Sequence, residues 1–408
     1  MKKILYIHQL FRHPGEFGGT RSYWIAQELI KQGYHVTMIC QRNPLLFPGK
    51  NIPSVEFTAV DNIKVIYIRN HFSKSMGLKG KAISFFRFMF KSTWFALKEK
   101  EIDLVIATST PLTVAFPAII RKLIKKTPYL FEVRDLWPEG IIQMAIIKNN
   151  FLIKTLRWFE KITYRQALHV IALSPGMQKG VINHIPRSKT TMIPNMSKID
   201  RFWPRAVDYD KISCFNLNKE TFKVIYFGAM GLSNGLHYIV DAAKICMERN
   251  LQNIEFIFLG HGRVKNEIIE RKMNEDLRNI ILIESQPMEM TSEIVNACDV
   301  SIVTFEDIPI LYTNSPNKFF DSLSAGKPII VNSAGWTKEI VENFDCGFFV
   351  NPKDTEALFE KILFLKENPK EIKRLGSNSR KLAVERFDKS ILCPKFVSVV
   401  NSLTKKSP

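Results

Sequence analysis

Residues 222–235 read FKVIYFGAMGLSNG, and residues 255–263 read EFIFLGHGR. Each stretch is an apolar run of strand length that ends on glycine and leads into a helical pattern, Leu236–Arg249 after the first and Arg263–Met273 after the second. A run with no polar face suits a strand covered on both sides, and such strands separated by helices build a parallel, doubly wound sheet. IILIE (280–284), DVSIVTF (299–305), PIIV (328–331) and GFFV (347–350) extend the series toward the C-terminus.

Before this region the same grammar has already run once. KILYIHQ (3–9), HVTMICQ (35–41), VIYI (65–68), DLVIATS (103–109), YLFEVRD (129–135) and HVIALS (169–174) are strands. Helical patterns at Thr20–Gln32, Val114–Lys126 and Phe151–Ala167 and a long basic helix fall among them. A polar stretch over 195–218 separates the two series. The 408 residues are therefore read as an α/β protein of two Rossmann-like domains, 1–200 and 201–387, with a ligand cleft between them. The last segment, 388–408, carries an amphipathic helix expected to cross back onto the first domain.

Composition narrows the function. MKKILYI is too short an apolar stretch for a secretory signal, with His8, Arg12 and His13 following at once, and no run of about 18 apolar residues offers a membrane span. The six cysteines are widely spaced, so no zinc knuckle or CxxC redox pair is available, and a reducing, cytoplasmic setting is expected. The net charge of +19 is lopsided: residues 1–200 carry 30 Lys/Arg against 12 Asp/Glu, residues 201–408 carry 28 against 27. Excess charge confined to one half implies an anionic partner for that half: nucleic acid, a membrane surface or a phosphate-rich substrate.

Several motifs carry chemistry. Gly18-Gly19 lies between the first strand and first helix, where glycine permits close backbone approach and leaves helix N-terminal N–H groups for an anion. No GxGxxG is present, which excludes the usual nicotinamide fingerprint. Arg134, Asp135 and Glu139, in VRDLWPE at a strand's carboxyl end, offer a cation and a base to a site; an Arg–Asp pair tying loops together is the plainer alternative. The two second-domain glycine turns, at Gly228–Gly235 and at Gly260–Gly262 with Arg263 and Lys265, read as phosphate cradles. In SPNKFFDSLSAGKP (315–328), Lys318 and Asp321 lie a turn apart on a helix, suiting a diphosphate and a ribose diol, or else forming a simple surface ion pair.

Two helices hold the basic excess. Arg87, Lys91 and Lys98 share one face beside Phe85, Phe86, Phe90 and Trp94; Lys154, Arg157, Lys161 and Arg165 form a second stripe flanked by Phe151, Trp158 and Phe159. Basic flanks beside aromatic faces are what interfacial membrane helices use, although core packing with a basic outer face gives the same pattern.

Taken in order, the Gly18-Gly19 loop, VRDLWPE, FEKITYRQALHVIALSPGM, MIPN and the run from Asn317 to Pro328 resemble the family-four retaining glycosyltransferases of the GT-B fold over nearly the whole chain. DLWPE and the segment around Glu160–Leu168 are similar to the O-antigen and capsule subgroup that includes N-acetyl-fucosamine transferases. The resemblance implies that Gly18, Gly19, Gly228, Asn234 and Asn317 lie on the donor side, that Arg134 and Asp135 stand near the reacting sugar carbon, and that Ser174 and Asn195 match interdomain positions. It also implies that Asp321, matching the second Glu of the family's E-x7-E motif, binds the ribose. The first Glu falls at Thr313, and the usual Arg and Lys of the diphosphate clamp fall at Ala229 and Asn234, leaving Arg263, Lys265 and Lys318 as replacements. The implied activity is sugar transfer with retention from a UDP-sugar to a polyprenyl-diphosphate-linked saccharide at the inner face of a membrane. No cofactor, metal or nucleic acid is expected. A sugar-nucleotide epimerase of the same fold and a non-enzymatic membrane or nucleic-acid adaptor are the rival expectations.

Overall fold

The computed structural model describes residues 1–14, 16, 18–44, 51–72 and 76–405. The chain forms two compact units: an N-domain of residues 1–14, 18–194 and 390–408, and a C-domain centred on residues 195–389.

The N-domain sheet has eight strands: β1 (Lys3–Ile7), β2 (His35–Arg42), β3 (Val55–Val60), β4 (Ile63–Arg69), β5 (Leu104–Thr108), β6 (Tyr129–Val133), β7 (His169–Ala172) and β8 (Thr190–Met192), in the order β3-β4-β2-β1-β5-β6-β7-β8. Every pairing is parallel except β3 with β4. Ile4, Leu5, Tyr6 and Ile7 are completely buried, as the unbroken apolar pattern requires. The β3–β4 hairpin departs from the parallel reading: Asp61 and Asn62 both adopt positive φ, the turn that antiparallel hairpins favour. Its helices are α1 (Arg21–Lys31), α2 (Leu78–Lys98), α3 (Ala115–Lys125), α4 (Glu139–Gln143), α5 (Asn150–Gln166) and α6 (Pro175–Ile182).

The C-domain sheet has six parallel strands: β9 (Phe222–Ala229), β10 (Ile254–His261), β11 (Ile280–Ile283), β12 (Val300–Val303), β13 (Ile329–Val331) and β14 (Gly347–Phe349), ordered β11-β10-β9-β12-β13-β14. Helices α7 (Tyr209–Ile212), α8 (His237–Glu248), α9 (Lys265–Asn274), α10 (Met288–Asn296), α11 (Asn317–Ser324), α12 (Trp336–Asn343), α13 (Thr355–Glu367) and α14 (Pro369–Leu382) accompany it. The polar stretch over 195–218 is not a loose linker here. Phe202, Ile212 and Leu217 are buried in one of the C-domain's cores, and the Ser197 amide donates to Phe387 O at 2.8 Å.

The final helix, α15 (Lys389–Lys405), belongs to the N-domain apart from its first residue. Tyr34 donates its hydroxyl to Asn401 Oδ1 at 2.5 Å, and Lys2 reaches the Thr404 carbonyl.

Each sheet reverses its strand order once, between β1 and β5 in the N-domain and between β9 and β12 in the C-domain. Ligands of open α/β sheets bind beyond the strand carboxyl ends at such reversals. Both sets of candidate residues gather there.

Candidate functional site

In the C-domain, β9 ends beside α11. Gly228 has φ +119°, and a Cβ placed there would stand 3.4 Å from Lys318 Cε. Lys318 comes from the first turn of α11; its ammonium lies 3.7 Å from the centroid of the Tyr226 ring, donates to the Tyr226 hydroxyl, and reaches Asn234 Oδ1 at 3.3 Å. Burial pushes the Tyr226 phenol up, so it stays a neutral partner. Asn234 is buried and fixed in turn: Thr304, just after β12, donates to its carbonyl at 2.7 Å. Gly228, Asn234 and Lys318 are thus brought together across the β9/β12 reversal, with Asn317 opening the same helix.

Three sequence expectations need correction in this domain. Asp321 does not share an open face with Lys318: it is buried, and its Oδ1 lies 2.6 Å from the Lys198 ammonium. Burial raises its carboxyl pKa and Lys198 opposes that rise, so its side chain is engaged inside the fold and not presented to a ribose. Lys265 is also buried, and its ammonium is held by Glu284, whose carboxyl is lowered first by that hydrogen bond; Arg263 is exposed. The Gly260–Gly262 turn is a packing device: a Cβ on Gly260 would fall 1.9 Å from Gly228 O, and one on Gly262 2.3 Å from Met230 O. Thr313, at the first acidic position of the family motif, donates to Ile310 O at 2.7 Å, and Asn195 bonds Ser315 through its backbone and side-chain amides.

In the N-domain, His8 follows β1 at the reversal and is buried. Its Nδ1 lies 2.9 Å from Ser22 Oγ and its Nε2 3.5 Å from the Arg134 guanidinium. Burial, followed by Arg134 and Arg12, pushes its pKa well below the usual imidazole range, so the ring is neutral. Arg134 turns toward His8, and its amide donates to Ser109 Oγ at 2.9 Å. Asp135 is exposed and accepts from Thr110 Oγ1 at 2.6 Å. Arg134 and Asp135 thus engage different side chains at one turn, His8 and Thr110. Glu139 also departs from expectation: it pairs with Arg157 at 3.0 Å, linking α4 to α5. Gly18, exposed and at φ +114°, and Gly19 precede α1, while Ser174 caps α6 by accepting from the Met177 amide at 3.0 Å.

Beneath this edge lies an Arg21–Glu132 ion pair at 2.8 Å, with both side chains almost fully buried. Thr108 donates to the second carboxylate oxygen at 3.1 Å, and Arg21 also donates to the carbonyls of Ile193 and Pro194. His8, Tyr226 and Lys198 went unassigned from the sequence. Tyr226 is hidden inside an apolar run, and Lys198 follows Asn195 by only three residues.

The helices α2 and α5 expose apolar side chains. Ile83, Phe86, Phe90 and Trp94 are 68%, 52%, 63% and 60% accessible on α2, and Phe151 and Trp158 are 81% and 61% accessible on α5. Lys98 lies 4.7 Å from the Trp94 ring centroid. Lys154, Lys161 and Arg165 are exposed; Lys91 is half-buried. Among the described residues no helix is long and apolar enough to cross a membrane.

Two family models match consecutive regions: Glycosyltransferase Family 4 over residues 18–201 and Glycosyl transferases group 1 over residues 210–382. The probable glycosyltransferase WbjE of Pseudomonas aeruginosa is 22% identical over 375 residues, covering 89% of this chain and 90% of that protein. The capsular polysaccharide biosynthesis glycosyltransferase CapM of Staphylococcus aureus is 22% identical over 323 residues, 76% of this chain and 80% of CapM. Among solved structures, sucrose-phosphate synthase from Thermosynechococcus elongatus superposes with a TM-score of 0.78 at 17% identity over 100% of both chains. Anabaena HepE in complex with UDP and glucose gives a TM-score of 0.73 at 20% identity, over 98% of this chain and 100% of HepE. The fold is therefore that of the GT-B enzymes. The chain belongs to the glycosyltransferases that join a family-4 region to a group-1 region, with relatives in capsule and polysaccharide synthesis.

Proposed function

We propose that the protein transfers a sugar, an N-acetylated or 6-deoxy hexosamine, from a UDP-sugar to a polyprenyl-diphosphate-linked saccharide, with retention of configuration and without a divalent ion. The observation that carries this reading is Lys318, whose ammonium is anchored by Tyr226 and Asn234 beside the side-chain-free Gly228 at the β9/β12 reversal. Departure of a nucleoside diphosphate from the anomeric carbon leaves new negative charge on the leaving phosphate. A preorganised cation stabilises that charge without metal. The complexes of HepE with UDP and glucose and with UDP-glucose favour UDP as the carrier. The capsular polysaccharide enzyme CapM and the lipopolysaccharide enzyme WaaG favour a surface-polysaccharide acceptor.

In this reading Asp135, exposed at its turn, orients the acceptor hydroxyl, and Arg134 with neutral His8 shapes the sugar-facing wall. The proton passes to the departing phosphate, so no buried carboxylate base is required. The exposed apolar stripe of α2, the aromatic residues of α5 and the bases beside them hold the enzyme peripherally at an anionic inner membrane surface.

The test is a thermal-shift panel with UDP, GDP, ADP and NADH, with and without magnesium. Ligand at one hundred times its dissociation constant adds about 2.7 kcal/mol. A magnesium-independent shift with UDP, weakened by Lys318→Ala, supports the donor site. A shift only with another diphosphate reassigns the carrier, and no shift with any removes the transferase reading.

A further inference from the structure

At the end of β4, Arg69 is followed by Asn70, whose buried side-chain amide donates to Ser84 Oγ and Gln41 Oε1, both at 2.9 Å, and lies 3.1 Å from the Ser84 carbonyl. This clamp pins α2 against the strand end. Arg87 and Lys91 follow Ser84 by three and seven residues, so all three lie along one side of the helix. Arg69, Arg87 and Lys91 consequently form one cationic cluster. Lys91 is half-buried, and its ammonium is pushed down by burial and then by the charges of Arg87 and Arg69.

No carboxylate among the described residues pairs with any of the three, and no undescribed residue is Asp or Glu. The contrast with Arg42 is direct. It lies beside Arg69 in the β2–β4 register, yet it pairs with Glu56 at 3.2 Å and covers the Tyr67 ring. Arg69 uses one nitrogen on Ile52 O at 2.9 Å; the rest of its planar fork retains donors of the kind that match phosphate oxygens. Holding three like charges together without a counterion is unfavourable, and a dianionic ligand removes that penalty. On the same helix the exposed apolar stripe of Ile83, Phe86, Phe90 and Trp94 borders these bases.

We propose that Arg69, Arg87 and Lys91 bind the diphosphate of the lipid-linked acceptor, whose hydrocarbon lies along the exposed stripe of α2. This rests on the transferase reading above. The saccharide then runs along the sheet's carboxyl edge, where Gln41 and His8 lie on the next strands toward β6 and Arg134. Crossing from β4 to β1 spans two strand spacings, about 10 Å, which is on the order of a disaccharide. The anchor thereby sets how much saccharide reaches the reacting centre.

Farnesyl diphosphate binding to the full chain, measured by calorimetry with the donor site saturated by UDP, tests this. Farnesol is the uncharged control. Arg87→Gln and Lys91→Gln on α2 should each weaken farnesyl diphosphate about tenfold. Vesicles of phosphatidylcholine and phosphatidylglycerol should still bind, and the UDP thermal shift should be unchanged. Arg69→Gln should act the same way; the two helix variants keep the test valid if it fails to fold. Unchanged farnesyl diphosphate affinity overturns the proposal. Loss of vesicle binding in step with farnesyl diphosphate also overturns it, assigning the cluster to phospholipid headgroups. Failure of wild type to bind UDP sinks the transferase reading instead, and binding without UDP then reads the cluster separately.

Discussion

The two domains use their cations in opposite ways. In the C-domain many are matched: Arg271 meets Asp241 and Glu275, Arg374 meets Glu371 and Asp345, Arg205 meets Glu293, Lys265 meets Glu284 and Lys198 meets Asp321. On α2 and α5 of the N-domain, Arg157 has Glu139, whereas Arg87, Lys91, Lys154, Lys161 and Arg165 have no described carboxylate within ion-pair distance. The halves differ in net charge accordingly, +18 against +1 by the counts above. A matched cation builds the domain that carries it. An unmatched one stores attraction for a ligand or surface, at a cost in self-repulsion. Arg21–Glu132 is a matched pair inside the N-domain, with both side chains almost fully buried.

The largest test of this division unmatches that pair. Glu132→Ala leaves Arg21 buried and uncompensated, and should lower N-domain stability by about 3–5 kcal/mol in urea unfolding. A loss below about 1 kcal/mol would mean that Arg21 finds water or another acceptor, and the distinction between building and binding cations would blur.

Next in size is the contrast between two C-domain lysines. Lys318→Ala should reduce turnover roughly 10²–10³-fold, the usual cost of one preorganised group on developing charge. Lys265→Ala, which removes a cation already held by Glu284, should change turnover by less than about threefold, the scale of a partly exposed pair. Equal losses would return Lys265 to the diphosphate clamp.

Glu160 tests the basic helix from within. It accepts from Tyr164 at 2.9 Å, and burial raises its carboxyl to about 7. The folded state therefore holds this proton more tightly than the unfolded chain does. Stability from this group is full below about pH 4.5 and is lost as pH rises through about 7, by roughly 3 kcal/mol in all. Glu160→Gln should flatten that slope in denaturation curves taken across this window. An unchanged slope would place its source elsewhere. The smallest effect concerns the surface: Phe90→Ser with Trp94→Ser should weaken binding to phosphatidylglycerol-containing vesicles about tenfold while leaving the UDP shift intact. Unaltered vesicle binding would mean that the apolar stripe is not a membrane face.

Much of the fold was legible because buried parallel strands announce themselves as unbroken apolar runs. The twelve strands read from sequence recur in the structure, and the two that sequence reading missed, β3 and β8, lie at the two edges of the N-domain sheet. β3, VEFTAV, is half-exposed and alternates, and only the Asp61-Asn62 turn betrays its antiparallel pairing. The site was less legible for a specific reason. Helical spacing places Lys318 and Asp321 on neighbouring positions, but spacing says nothing about partners 92 residues away at Tyr226 or at Lys198 in another segment. Lys265 looked available for the same reason: Glu284 lies on a different strand end. Charge asymmetry, being a sum over many residues, survived this ignorance of pairing.

The route of the chain has one more consequence. The N-domain is assembled from segments that lie before and after the C-domain in sequence, with Tyr34 and Lys2 meeting α15 only after the whole C-domain has been made. During synthesis the N-domain segment before residue 195 emerges first, and its seam with α15 can close only after the C-domain segment has followed it.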